Sequence, residues 1–230
     1  MDIENATALV TGANRGLGRE FTRQLLARGA RRVYATARDP RSIDVEGAVP
    51  LQLDVTDAAA VEAAVHAAPD VDLLVNNAGI ATLQPVLTGD LDTIRRDVET
   101  NVFGALQVTR GFAPTLGRNG GGAIVTMLSA ASWYAVPGNA AYSVSKAAAW
   151  NLNNAFRVEL AEQGTQVLGV HAGLVDTDMA AGWDFPKISP EEVVTAVLDG
   201  LAAGEIEVVV DDFARSVKAA LSGPPTTSAL

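Results

Sequence analysis

Short apolar runs alternate along the chain with longer stretches in which apolar positions recur every three or four residues, the signatures of strands and helices. Ala6–Val10 reads as a buried strand, followed by a glycine-containing turn and a helix over Leu17–Arg28. Arg32–Thr36 and Pro50–Leu53 read as the second and third strands, and a helix over Ala58–Ala67 carries Asp57 as its N-cap. Val71–Val75 is a fourth strand, apolar on both faces. A long helix is predicted over Asp97–Leu116, then a triple-glycine break at 120–122 and a fifth strand over Ala123–Leu128. The pattern continues with a helix over Tyr142–Gln163, a strand over Gln166–Val170, a helix over Glu191–Ala203 and a last strand over Glu205–Val210. Apolar strands joined by helices of crossover length predict an α/β fold: a doubly wound sheet of about seven parallel strands, helices on both faces. One domain is expected over residues 1–221, with residues 222–230 as a flexible tail. In such a sheet a ligand belongs at the carboxyl ends of the strands.

Charge narrows the partners. With 27 acids against 17 bases the net charge is -10, a field that repels phosphate backbones and anionic membranes. No nucleic-acid or membrane partner is therefore expected, although a local basic pocket for a small phosphate is compatible with that field. The chain contains no cysteine, which removes disulfides, thiolate metal sites and thiol catalysis. Its two histidines, His66 and His171, lie far apart without ligand-spaced partners, so no metal is expected. The opening Met-Asp-Ile-Glu-Asn lacks the basic flank and apolar run of a signal peptide. No apolar stretch approaches the roughly 20 residues of a membrane span, so the expected compartment is the cytoplasm.

The first strand ends in Thr11-Gly12-Ala13-Asn14-Arg15-Gly16-Leu17-Gly18. Glycine lets a strand turn sharply into a helix and lets backbone amides approach a pyrophosphate, which the positive end of the helix also favours. Three residues separate the first two glycines, giving T-G-x-x-x-G-x-G. In that spacing the chain resembles the short-chain dehydrogenase/reductase family, and the resemblance runs along nearly its whole length. It implies a Rossmann-like fold, a nicotinamide dinucleotide held by Gly12, Asn14, Arg15, Gly16, Leu17 and Gly18, and oxidoreductase chemistry. The second strand runs out through Ala37-Arg38-Asp39. Family members that prefer NAD usually carry an aspartate where this chain has Ala37; those that prefer NADP carry bases at the positions of Arg15 and Arg38. Two guanidiniums suit a 2′-phosphate, so NADP(H) is the expected cofactor. The alternative is that both arginines are ordinary surface residues and Asp39 binds the ribose. Asp54, in Leu-Asp-Val-Thr, resembles the family's adenine-contacting aspartate, with Val55 beside it; capping of the following turn is the plainer role.

Tyr142-Ser143-Val144-Ser145-Lys146 puts a phenol and an ammonium four residues apart on one helix face. A phenol near pKa 10 is a poor base at neutral pH, and a nearby cation favours its ionised form. Thirteen positions upstream stands Ser129, at the spacing of the family's catalytic serine; Ser132 is its neighbouring decoy. By resemblance, Ser129 orients the substrate oxygen, Tyr142 exchanges its proton, and Lys146 lowers the tyrosine pKa and binds the nicotinamide ribose. Asn101, in Asn-Val-Phe-Gly, matches the asparagine that holds a water beside the lysine, and Asn76-Asn77-Ala78-Gly79 matches the element that lines the cofactor side, with Asn76 mainly architectural. Gly173, Val175 and Thr177 fall where relatives contact the nicotinamide.

One departure stands out: Ala172 replaces the proline that commonly precedes Gly173, which predicts a less rigid backbone there. His171 reads as a packing or hydrogen-bonding residue. Between Met179 and Pro190 there is room only for a short substrate loop, with Trp183, Phe185, Trp133 and Tyr134 as a candidate apolar wall. The helices near 97–116 and 142–163 resemble those that pair in family homodimers and homotetramers, with Trp150 a candidate interface residue. The expected activity is hydride transfer between NADP(H) and a small carbonyl or alcohol substrate. The competing function is an NADP(H)-binding sensor or scaffold without turnover.

Overall fold

A computed structural model of the chain describes residues 1–224. Seven parallel strands form one sheet in the order β3-β2-β1-β4-β5-β6-β7. They are β1 (Thr7–Val10), β2 (Arg32–Ala37), β3 (Val49–Gln52), β4 (Leu73–Asn76), β5 (Ala123–Met127), β6 (Gln166–His171) and β7 (Glu207–Val209). The helices are α1 (Gly16–Ala27), α2 (Ala58–Ala67), α3 (Leu91–Val98), α4 (Ala105–Arg118), α5 (Ala140–Glu159), α6 (Pro190–Ala202) and α7 (Asp212–Ala220). The expected doubly wound fold is the observed one. The winding reverses between β1 and β4, the position at which such sheets open a crevice.

Strands β1, β4 and β5 are buried at every position, so each face of the sheet needs its own cover. On one face Phe21 and Leu25 of α1 and Val194, Val197, Leu198 and Leu201 of α6 pack on Ala8, Val10, Val125 and Leu168. On the other, Val108, Phe112 and Leu116 of α4 and Phe156 of α5 meet Leu9, Leu74, Ile124 and Val167.

Four boundaries differ from the sequence pattern. The helix expected to begin at Asp97 begins at Leu91, where the Asp90 carboxylate accepts the Thr93 N–H at 2.7 Å. Leu91, Ile94 and Val98 do recur at helical spacing, but the period is short and set among four charged residues, and the helix buries only Asp97. A π-helical segment, Glu99–Gly104, then interrupts the expected continuous helix. Helix α5 starts two residues before Tyr142 and stops at Glu159, four residues short of the expected end, because the chain turns there toward β6. Finally, α7 was not foreseen at all. It buries only Ala214 and Val217, three apart, and Asp211 caps it by accepting the Ala214 N–H at 2.8 Å. Of the expected tail, Ser222–Pro224 are exposed, and residues 225–230 lie outside the described residues.

Phe112 is fully buried at the centre of the α4 face. Phe112→Ala is expected to cost about 3–5 kcal/mol of stability, read as a lower urea midpoint with an unchanged slope.

Candidate active site

The loop after β1 is shaped by contacts that leave no room for a Cβ. Gly12 has φ +63°, and a Cβ on Gly18 would lie 2.1 Å from the Gly12 carbonyl oxygen, so the first turn of α1 rests directly on the loop backbone. The Thr11 hydroxyl donates to the Val75 carbonyl at 3.2 Å and accepts from the N–H groups of Asn77 and Ala78, both at 2.9 Å. The Asn77 amide returns to the Thr11 carbonyl at 2.9 Å. Asn76 points elsewhere: its amide donates to Thr109 on α4 at 2.9 Å, an architectural tie. The start of α1 has no side-chain cap and no acidic residue in its first turn among the described residues, so Gly16, Leu17 and Gly18 present free N–H groups. This surface fits a dinucleotide's phosphates: a backbone cradle backed by a helix N-terminus, with Asn14 beside it.

The basic residues flank that cradle. Arg38 is exposed just beyond β2, and its charge helps hold the Asp54 carboxyl below its ordinary range, after the larger effect of the Thr56 N–H. Asp54 accepts that N–H at 3.0 Å and the Thr56 hydroxyl at 2.7 Å through one oxygen, so it does cap its turn. Arg15 forms an exposed ion pair with Asp178 at 3.0 Å. Asp39 has both carboxylate oxygens engaged by Arg41, at 2.9 Å each. Val55 is buried against Gly104, and Thr177 sits over Gly16 at the start of a 3-10 turn, Asp178–Ala180.

Ser129, Tyr142 and Lys146 converge past the carboxyl end of β5. Ser129 lies two residues beyond the strand and starts a 3-10 turn, Ala130–Ser132; its Oγ accepts the Ala131 N–H at 3.1 Å. Ser132 is buried one turn away, its Oγ without a partner among the described residues. The Tyr142 phenol is pushed up to about 12 by burial, and a hydrogen bond from Ser129 opposes that shift. Asp97 and Tyr134 face the phenol and push it upward as well. The Lys146 ammonium lies 5.7 Å from the centre of the Tyr142 ring and donates to the Met127 carbonyl at 2.8 Å. Burial pushes it down to about 8, against the upward pull of buried Asp97. At this separation burial is the largest influence on the phenol.

Asn101 sits within the π segment, its Oδ1 accepting the Ile80 N–H at 2.8 Å. Its amide donates to the Ile80 carbonyl and to Ser145 Oγ, at 2.9 and 2.8 Å. The side chain thereby stitches Gly79-Ile80 to the helix that bears Tyr142. Gly79 lies close beside both Asn101 and the lysine: a Cβ there would stand 3.0 Å from Asn101 Oδ1 and 3.7 Å from Lys146 Nζ.

Sequence reasoning missed Asp211. Its Oδ2 accepts the Gly173 N–H at 2.6 Å while its Oδ1 caps α7. The backbone next to Ala172 is held by this carboxylate instead of a proline ring, which corrects the expectation of a looser segment. The separation of 38 positions between the two partners hides the pairing from any local motif. Val175 forms a parallel bridge with Ile188, which closes the short loop carrying Trp183 and the exposed Phe185. Trp133, a candidate for the apolar wall, is stacked on His171 at 3.9 Å, with half-buried Trp150, the candidate interface residue, edge-on to it at 6.3 Å. Tyr134 packs against Phe213 of α7. Among the described residues no acid or histidine cluster fits a metal, and no helix is long and apolar enough to cross a membrane.

The family profile described as short chain dehydrogenase matches residues 6–185. D-erythrulose reductase of Gallus gallus is 36% identical over 228 residues, 96% of this chain and 90% of that protein. L-xylulose reductase of Bos taurus is 34% identical over 223 residues, covering 92% and 89% of the two chains. A crystal structure of a short chain dehydrogenase from Burkholderia cenocepacia J2315 in complex with NADP shares 40% identity and a TM-score of 0.93, over 97% of this chain and 95% of that one.

A buried ammonium at the site makes the ionisation of Lys146 a stability test. A pKa depressed from 10.5 to about 8 means that its contribution is full above 10.5 and is lost as pH falls through 8. Lys146→Met, which removes the charge at similar volume, is expected to stabilise the cofactor-free protein by about 2 kcal/mol at pH 7, the desolvation cost less one hydrogen bond. Urea unfolding at pH 7 and pH 10 checks it, since the gain is to vanish toward the higher pH.

Proposed function

The chain belongs to the short-chain dehydrogenase family of oxidoreductases, and from that premise we propose that it interconverts a small carbonyl compound and its alcohol with NADP(H). The observation that carries the proposal is the convergence of the Ser129 hydroxyl, the Tyr142 phenol and the Lys146 ammonium beside the glycine turn. The reductases of sugar-like ketones among the relatives, and the NADP in the Burkholderia structure, support the same reading.

When bound, the cofactor supplies or accepts the hydride at the substrate carbon. Gly12, Asn14, Gly16, Leu17 and Gly18 would hold its phosphates, Asp54, Val55, Asn77, Ala78 and Gly79 the adenosine side and the floor, and Gly173, Val175, Thr177 and Lys146 the nicotinamide end. Arg15 and Arg38 carry the preference for a 2′-phosphate, and Asp39, with both oxygens on Arg41, is a poor ribose acceptor. Burial keeps the Tyr142 phenol protonated at neutral pH, the state a proton donor needs during reduction. Ser129 donates to the oxygen on which negative charge develops. As Tyr142 gives its proton to that oxygen, the Lys146 ammonium stabilises the phenolate left behind. Asn101 positions the helix that bears both. Oxidation of the alcohol reverses each proton transfer.

The test titrates the protein with NADPH and NADH by energy transfer from its tryptophans, and assays erythrulose, xylulose and diacetyl. Tighter binding of NADPH is expected, with turnover at least 100-fold lower in Tyr142→Phe and cofactor binding intact. Arg38→Asp is expected to weaken NADPH roughly 10- to 100-fold and leave NADH within a few-fold. Equal affinity of the wild type for both cofactors would remove the arginine argument. Binding without turnover on any carbonyl would favour the sensor reading.

A further inference from the structure

Behind Ser129 lies a histidine that the proposed chemistry does not use. The β5–β6 ladder continues past both strand ends, with the Leu128 N–H on the Val170 carbonyl at 2.8 Å and the Ala130 N–H on the Ala172 carbonyl at 2.9 Å. Between these bonds, the Ser129 carbonyl meets His171 Nδ1 at 2.9 Å. A carbonyl only accepts, so Nδ1 carries the proton. Burial, together with the charges of Lys218 and Lys146, pushes the imidazole down to about 4, so the ring is neutral and its Nε2 is bare. That nitrogen faces Glu207 at 3.8 Å, too far for a hydrogen bond and with an acceptor opposite, since the glutamate is itself engaged by Lys218. On this side a cavity of about 170 Å³ opens, lined by Trp150, Asn153, Arg157 and Glu207. Nothing there among the described residues grips Nε2.

The ring's orientation is therefore set from the Ser129 side. Trp133 stacks on it at 3.9 Å and 17° between planes, while Trp150 stands edge-on. Ser129 precedes the 3-10 turn and Trp133 follows it, so one fully buried imidazole holds both ends of that turn: its start by a hydrogen bond, its end by stacking.

We propose that His171 is a positioning residue for Ser129, its Nδ1–H fixing the serine peptide so that the hydroxyl is aimed at the phenol of Tyr142 and at the substrate oxygen. The inference rests on Ser129 orienting the substrate. The same carbonyl also accepts the Ser132 N–H at 3.0 Å, so without the imidazole it keeps the bond internal to its turn and loses the one that holds it against β6, which lets the Ser129 peptide rotate. Such a rotation carries Oγ with it, and a displacement of about 1 Å at a reacting group lowers rate by about 100-fold.

Two substitutions separate this role from packing. His171→Phe keeps a ring against Trp133 and removes the donor. His171→Asn loses the ring and places an amide N–H near the position of Nδ1. The first is expected to lower kcat 10- to 100-fold with little change in KM or in NADPH affinity. The second is expected to recover kcat to within about fivefold of wild type, even though it is the less stable protein. A second readout needs no turnover: the ¹³Cζ resonance of Tyr142 in cofactor-free protein at pH 7, assigned by its loss in Tyr142→Phe. Asp97, Tyr134 and Lys146 also face that phenol, and neither substitution touches them. His171→Phe is expected to move the resonance toward its position in Ser129→Ala, and His171→Asn to leave it at the wild-type position. A phenylalanine variant with wild-type kcat and an unmoved resonance would overturn the proposal, as would activity that simply follows stability across the pair. Should the wild type turn over no carbonyl, the resonance alone still decides whether His171 holds Ser129.

Discussion

Where the sheet reverses its winding, a single buried hydroxyl ties two strand ends together. Thr11 gives its proton to Val75 and takes those of Asn77 and Ala78, so the loop after β1 and the loop after β4 cannot move apart. Three bonds use the full capacity of that oxygen, and burial makes each expensive to lose. The close approach this enforces is what requires a bare backbone at Gly18 and a left-handed residue at Gly12. The glycine turn proposed to cradle phosphate is thus a consequence of how β1 and β4 are joined. The strands then carry the geometry outward: β4 leads to Gly79 and Ile80, which hold Asn101, and β5 leads to Met127, which holds Lys146.

That framework supports an unfavourable charge. Lys146 is buried with a carbonyl as its direct partner and no carboxylate within ion-pair distance among the described residues. Asp97, itself buried and bonded to Thr82, offsets part of the cost from a distance. The same carboxylate disfavours phenolate at Tyr142. One acid therefore favours the charged lysine and, alongside burial, the neutral tyrosine, the pair of states that the proposed proton donation needs. A closer carboxylate would hold the ammonium more firmly but would take up the charge that the phenolate is to meet.

The strand order and the two-faced core were legible because buried parallel strands leave unmistakable apolar runs, as in Leu9-Val10 and Ile124-Val125. The placement of Ser129 and of the Tyr142–Lys146 pair followed from the resemblance to the family's spacing, along a strand and a helix that formed where the apolar pattern put them. What escaped were features set by polar groups or by distant partners. Helix α3 is announced by the Asp90 cap and by a short apolar period, Leu91, Ile94 and Val98, that is set among charged residues and not buried. The π segment depends on how Asn101 meets Ile80 and Ser145, two contacts from other parts of the chain. Arg15, expected to face a phosphate, spends its charge on Asp178 in the resting structure, an exposed pair worth at most about 1 kcal/mol and readily exchanged for a better anion.

The replacement of proline by Ala172 shows how such distant partners change the meaning of a local departure. A proline before Gly173 would stiffen the backbone from within, by fixing φ. Here stiffness is imposed from outside: Asp211 holds the Gly173 N–H, and it can do so because the other oxygen of the same carboxylate caps α7. That helix is in turn docked by Ala214 and Val217 beside Ala130, the residue that follows Ser129. The loops bearing Gly173 and Ser129 thus share one support, built from the last helix described. A residue that looks like a loss at one position is matched by a carboxylate 38 residues beyond Gly173, and the two read as a single design only once the sheet has brought β6 and the start of α7 side by side.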